Sequence, residues 1–196
     1  MQPRLTAWLV DNGCSCRYRY GGVEMRPTVF PAWIVEVMEH CMPLCGLAER
    51  STWPNCCNLN LYEDGGHSVG WHADDEELFQ GRFLDCRIIS LSLGAERRFQ
   101  FRPQHPKDGE PAMRELVLRN GDICTMEGLM QKYYQHRVPK EDRRPGLGPR
   151  INLTWRWIVK HCPQCHCTRR FSLQSGTAVR RCASSMPLRS GAFSKT

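Results

Sequence analysis

Apolar and polar positions alternate in short runs along most of the chain, and nearly every run ends at a turn signal. Leu5 to Val10 and Cys16 to Tyr20 read as two strands joined by a turn at Asp11-Asn12-Gly13. Pro31 then opens a helix, with Trp33, Ile34, Val37, Met38 and Cys41 on one face. Cys57 to Tyr62 is a strand closed by Asp64-Gly65-Gly66, and Ser68 to Asp74 is the next one. Cys86 to Leu93 runs up to Gly94, and Phe99 and Phe101 alternate with polar neighbours. Arg114 to Arg119 meets Asp122 to Met126 across Asn120-Gly121, a two-residue hairpin signal. Tyr133 to Val138 and Ile151 to Val159 complete at least eight strands. Many short strands with tight turns and one helix predict a mainly β chain of the α+β class, folded as a sandwich or barrel.

The last of these strands breaks the rule for a buried element. Arg150, Asn152, Thr154 and Arg156 share one face, while Ile151, Leu153, Trp155 and Trp157 share the other. Guanidiniums on an inward face need anionic partners, because buried charges must be paired. A small dicarboxylic acid lying between Arg150 and Arg156 meets that need. His72 and Asp74 are two apart, so an extended segment points both to the same side. With His136 from a distant strand they complete the two-histidine, one-carboxylate set that holds non-haem Fe(II) and leaves positions open. A hydrolytic zinc site would accept the same three ligands but would leave the two arginines unexplained.

These residues, taken with their neighbours, resemble a known family. Asn60-Leu61-Tyr62, Asp64-Gly65, Trp71-His72-Ala73-Asp74-Asp75-Glu76, His136-Arg137-Val138-Pro139-Lys140-Glu141 and the strand Arg150 to Arg156 are similar to the AlkB-type dioxygenases. Ser68 to His72, Met126-Glu127-Gly128 and Gln135 to Glu141 carry a closer likeness to the AlkB homologue 3 group, which acts on single strands. The likeness covers roughly residues 3 to 160 and is densest from Cys57 onward. It implies a jelly-roll (double-stranded β-helix) core using Fe(II), 2-oxoglutarate and O2. The implied substrate is single-stranded DNA or RNA carrying 1-methyladenine or 3-methylcytosine, with formaldehyde, succinate and CO2 released. It further implies that Asn60 and Tyr62 donate hydrogen bonds to 2-oxoglutarate and that Arg150 takes its distal carboxylate. Arg156 is then the metal-proximal anchor, Asn152 and Thr154 support or extend the contact made by Asn60 and Tyr62, and Asp75 and Glu76 lie near the target base. Relatives that oxidise protein side chains share the iron ligands but rely on one basic anchor, so Arg156 argues against that alternative. A non-catalytic nucleic-acid-binding relative would have no need of intact ligands and both arginines. For a base drawn from its stack, Trp8, Tyr18, Tyr20 and Trp71 are candidate platforms, with Arg17 and Arg19 for phosphates.

Composition changes this picture only at the end of the chain. The net charge is +7, but residues 161–196 hold six basic and no acidic side chains, leaving 21 basic against 20 acidic before them. Bulk charge is therefore weak support for a polyanion-binding core. Three regions are expected: 1–53, strands and a helix with a candidate nucleotide-recognition hairpin; 54–160, the dioxygenase domain; and 161–196, a basic, cysteine-containing tail, disordered over 168–196. No stretch resembles a secretory leader or approaches the ~20 apolar residues of a membrane span. The expectation is a nuclear or cytoplasmic protein, not secreted and without a membrane partner, monomeric by default, its twelve cysteines kept as thiols. Cys162-Pro163-Gln164-Cys165-His166-Cys167 looks like half a zinc site. A ribbon would need a second pair about 15–20 residues on, where only Cys182 stands, so exposed thiols are expected there. Cys14, Cys16, Cys41, Cys45, Cys56, Cys57, Cys86 and Cys124 are expected to act as small apolar core residues.

Overall fold

Strands that bury both faces form the centre of the larger of the two main sheets among the described residues. β5 (Cys56–Tyr62), β7 (Ile88–Gly94) and β12 (Arg150–Arg156) lie side by side in it. Their outward residues, Cys57, Ile89, Leu91, Leu153 and Trp155, pack against Ile34, Met38, Cys41 and Met42 of helix α1 (Ala32–Leu44). Trp33 was expected on that face but is 46% exposed, since the buried face of the helix is the one carrying Ile34, Met38, Cys41 and Met42. The inward residues of the same strands, Asn58, Asn60, Ser90, Ser92, Asn152 and Thr154, are polar and buried. A buried polar row needs an interior that supplies partners, and here all of it but Ser92 lines a cavity.

The computed structural model describes residues 4–106, 109, 112–141, 144, 146–167 and 193–195. β1 (Leu5–Val10) and β4 (Thr28–Val29) extend the larger sheet on one side of β5, and β10 (Ile123–Met126) extends it beyond β7. A short strand, β13 (Phe193–Lys195), pairs antiparallel with β10; residues 168–192 and 196, where disorder was expected, lie outside the described residues. The smaller sheet orders β6 (Val69–His72), β11 (Tyr134–Val138), β8 (Arg97–Pro103) and β9 (Arg114–Leu118). Val69, Phe99, Phe101, Leu118 and Val138 of this sheet join Tyr62, Ile88 and Met126 of the larger one in a shared core. Two facing sheets, antiparallel except for the β1–β4 pair at one edge and flanked by a helix, are the jelly-roll arrangement expected.

Two expected hairpins are paired otherwise. β1 bonds to β5 and β4, while β2 (Tyr18–Tyr20) forms its hairpin with β3 (Val23–Met25). β9 and β10 flank Asn120-Gly121, yet β9 pairs with β8 and β10 with β7, so that turn carries the chain from one sheet to the other. Asn120 Oδ1 accepts from the Gly94 amide at 2.8 Å, tying this turn to the end of β7 instead of closing a hairpin. Gly94 itself has φ +90°, and a Cβ there would lie 2.4 Å from the Pro149 carbonyl oxygen. Its bare backbone lets the β7–β8 turn lie directly against the chain entering β12. No helix among the described residues is long and apolar enough to cross a membrane.

Candidate metal and co-substrate site

His72 ends β6 and faces His136 of β11 directly across the ladder, which places the ring centroids 4.2 Å apart. Asp74 lies just past the end of β6, not on the strand as the two-residue spacing suggested. Tertiary contacts hold it there: its amide donates to Gln131 Oε1 at 3.0 Å, and its Oδ2 accepts from Arg156 Nε at 2.9 Å and from Nη2. The donor atoms of His72, Asp74 and His136 all lie within 4.8 Å of one another. His72 Nδ1 sits 2.9 Å from the Gly70 carbonyl, which favours the tautomer with its proton on Nδ1 and a lone pair on Nε2. That Nε2 is 3.6 Å from Asp74 Oδ1, the carboxylate oxygen turned away from Arg156.

Charge states suit a cation. Burial alone would raise the Asp74 carboxyl, but Arg156 and the two imidazoles outweigh it and hold it well below the usual carboxylate range. Burial lowers His72, and burial with the neighbouring His72 pushes His136 down to about 3. Two neutral imidazoles and one carboxylate are the donor set of a facial non-haem iron site. His136 Nδ1 is buried with no hydrogen-bond partner among the described residues.

The polar face of β12 lines the same cavity. Arg150 is 1% exposed; its Nη2 donates to Ser92 Oγ at 2.8 Å, and its Nε and Nη1 are buried with no partner among the described residues. Burial lowers its pKa, as expected for a cation lacking an anion. Arg156, by contrast, already has a carboxylate, so Asp74 answers one of the two charges that a dicarboxylic acid was expected to answer. Its Nη1 alone lacks a partner. Asn60 Oδ1 accepts from Arg4 Nε at 2.8 Å, and Tyr62 lies under the Arg150 guanidinium at 5.3 Å. Asn152 Nδ2 donates to Ser90 Oγ and the Leu91 carbonyl, and its Oδ1 accepts from Thr154 Oγ1. Those two residues brace the cavity floor.

Outside this ring, the expected residues divide. Glu76 Oε1 accepts from the Tyr18 hydroxyl at 2.7 Å, and burial with the Asp74 charge pushes its carboxyl up to about 7. Asp75 instead pairs with Arg82 at the surface. Tyr20 meets the His72 ring edge-on at 5.5 Å, whereas Trp8 is buried and stacked on Tyr18. Trp71 has the guanidiniums of both Arg102 and Arg137 over its ring, at 4.3 and 4.5 Å from the centroid. Arg17 and Arg19 are both tied to Glu24. Sequence reasoning missed Arg4, Asn58 and Gln131; only Asn58 carried a signal, since it continues the inward series Asn58, Asn60, Tyr62.

A jelly roll with two histidines and a carboxylate at one cavity, facing an anion-seeking arginine, defines the class of oxygen-activating iron proteins that take a keto-acid. The family model described as the 2OG-Fe(II) oxygenase superfamily matches residues 3–156, and the chain belongs to that family. Fe(II), 2-oxoglutarate and O2 are the family's cofactor and co-substrates. Among relatives, alpha-ketoglutarate-dependent dioxygenase alkB homolog 3 of Bos taurus is 39% identical over 165 residues, covering 80% of this chain and 52% of the relative. The Homo sapiens protein of that name is 37% identical over 167 residues, with the same coverage. DNA oxidative demethylase ALKBH2 of Bos taurus is 32% identical over 161 residues, covering 80% of this chain and 54% of the relative. The chain thus spans about half the length of the relatives it matches.

Proposed function

We propose that this chain is an Fe(II)- and 2-oxoglutarate-dependent dioxygenase that oxidatively demethylates 1-methyladenine and 3-methylcytosine in single-stranded DNA or RNA, releasing formaldehyde, succinate and CO2. The observation that carries the reading is the convergence of His72, Asp74 and His136 on a cavity in which Arg150 is buried without an anion. The names of its relatives support nucleic acid as the substrate. When bound, iron and the keto-acid supply oxygen activation and the oxidation of the methyl carbon.

The residues of the chain do the holding. His72 and His136 offer neutral nitrogens, and Arg156 fixes Asp74 through Oδ2 so that Oδ1 faces the histidines. Arg150 receives the far carboxylate of 2-oxoglutarate, with Asn60 and Tyr62 beside it on β5 and Asn152 and Thr154 keeping the floor in place. The β2–β3 hairpin carries Tyr20 to the edge of His72 and serves as the nucleotide-recognition element, with Glu76 behind it and Asp75 at the rim. Trp71 with Arg102 and Arg137 against it supplies an aromatic face and two cations on the smaller sheet, whose β6 and β11 carry His72 and His136.

The deciding experiment incubates the purified chain with Fe(II), ascorbate, 2-oxoglutarate and a single-stranded oligonucleotide bearing 1-methyladenine. A mass loss equal to CH2, absent in Asp74→Ala, is the expected result. Succinate without that loss would retain the oxygenase and reject the substrate. Neither product from folded, iron-loaded protein would reject both.

A further inference from the structure

Six metal-ligating side chains from opposite ends of the chain meet at the foot of β2. Cys14 and Cys16 lie in the loop between β1 and β2, and His161, Cys162, Cys165 and Cys167 follow β12. The donor atoms of Cys14, Cys16, His161 and Cys165 all lie within 4.8 Å of one another. Cys165 Sγ is 3.8 Å from Cys14 Sγ and 3.2 Å from His161 Nδ1, and Cys16 Sγ is 3.8 Å from the same Nδ1. A tetrahedral zinc with ordinary Zn–S and Zn–N bonds sets its ligands about 3.8 Å apart for two sulfurs and about 3.6 Å for sulfur and nitrogen. The cluster already holds nearly these edges.

We propose that Cys14, Cys16, His161 and Cys165 bind a structural Zn2+ that clasps residues 161–167 onto the loop before β2. Soft sulfur donors in a closed set of four select zinc, in contrast to the oxygen and nitrogen donors at the iron site. Three thiols lose their protons to solvent on binding, and nothing is oxidised. Cys14, Cys16 and Cys165 are 8%, 0% and 0% exposed, so the tail segment is not a set of solvent-facing thiols. The Cys162 amide donates to Cys16 Sγ at 3.3 Å, an orientation that stabilises a thiolate. Ser15 Oγ donates to the Gln164 carbonyl at 3.1 Å, bonding the two loops directly. Gly13, at φ +79°, permits the approach: a Cβ there would come within 3.3 Å of Cys167 Cα. Cys162 and Cys167 flank the four, at 3.6 Å from Cys16 Sγ and 3.2 Å from Cys165 Sγ. The half-site legible at 162–167 therefore meets a second pair upstream, with Cys16 and His161 145 positions apart; Cys182 lies outside the described residues.

The test uses the full chain with reduced thiols, as wild type and as a His72→Ala/His136→Ala variant that disables the iron site. Elemental mass spectrometry is expected to find about one zinc per chain in both. Co2+ in place of Zn2+ is expected to give thiolate-to-metal charge-transfer absorption, which the sulfur-free iron site cannot produce. Cys14→Ser/Cys165→Ser loses both signals, and Cys45→Ser keeps them. Zinc below about a tenth of an equivalent in the reduced wild type, or cobalt spectra without thiolate bands, overturns the site. If the double variant does not fold, alkylation of the wild type decides: Zn2+ protects Cys14, Cys16 and Cys165, whereas equal labelling with and without Zn2+ rejects the proposal.

Discussion

The His72–Asp74–His136 cluster and the Cys14–Cys16–His161–Cys165 cluster hold their donors at similar separations on opposite kinds of scaffold. In the first, two candidate ligands sit opposite each other on paired strands, and the third is held by Gln131 and Arg156. In the second, every donor lies outside the sheets, and hydrogen bonds such as Ser15 to Gln164 join the two loops. Strands impose geometry before any metal arrives, and a site with open positions needs that, since its ligands must hold still while substrates exchange. Loops brought together by a few hydrogen bonds would be locked by the ion, which suits a closed structural site whose binding energy is folding energy. The first cluster is thus suited to exchange and the second to permanence.

The largest effect that tests this contrast is at Asp74. Asp74→Ala is expected to abolish iron-dependent 2-oxoglutarate turnover while leaving zinc content unchanged, read by succinate assay and elemental analysis. It also leaves Arg156 buried without its carboxylate, so urea unfolding is expected to show a loss of about 3–5 kcal/mol. Asp74→Ala/Arg156→Met is expected to regain much of that stability but no turnover, because it removes both charges. If the single variant is as stable as wild type, Arg156 is not held by Asp74.

Arg150→Met comes next. It is expected to raise the KM for 2-oxoglutarate roughly 10–100-fold, the worth of a charge-assisted bond, with little change in iron affinity. An equal loss in iron affinity would show that Arg150 supports the metal instead. Cys165→Ser is expected to lower Tm by about 5–10 °C, while iron-dependent decarboxylation persists below the new midpoint. Simultaneous loss of iron binding would mean that the clusters are not independent. Tyr18→Phe has the smallest effect, about 0.5–1.5 kcal/mol, because only its bond to Glu76 is lost while its stack on Trp8 remains.

Much of the strand-borne site was legible from residue spacing. The period of two put Arg150, Asn152, Thr154 and Arg156 on one face, and all four are buried on the cavity side. The same logic placed Asn60 beside Tyr62. It failed at Asp74, which has left the strand and is positioned by residues 57 and 82 positions away. It also failed at Asp11-Asn12-Gly13 and Asn120-Gly121. Turn chemistry specifies that the chain reverses, but the strand it then pairs with depends on competition among all available edges.

Alternation, turn residues and the chemistry of side chains are local properties, so the sequence by itself determined most of the element types, the polar face of β12 and the choice of His72, Asp74 and His136 as candidate metal ligands. Pairing partners and charge neutralisation are settled only when distant segments meet. Tertiary structure alone decided that Asp74 pairs with Arg156 and that Arg150 keeps Nε and Nη1 without a partner among the described residues. It alone brought Cys14 and Cys16 against His161 and Cys165, because no local rule relates residues 145 positions apart.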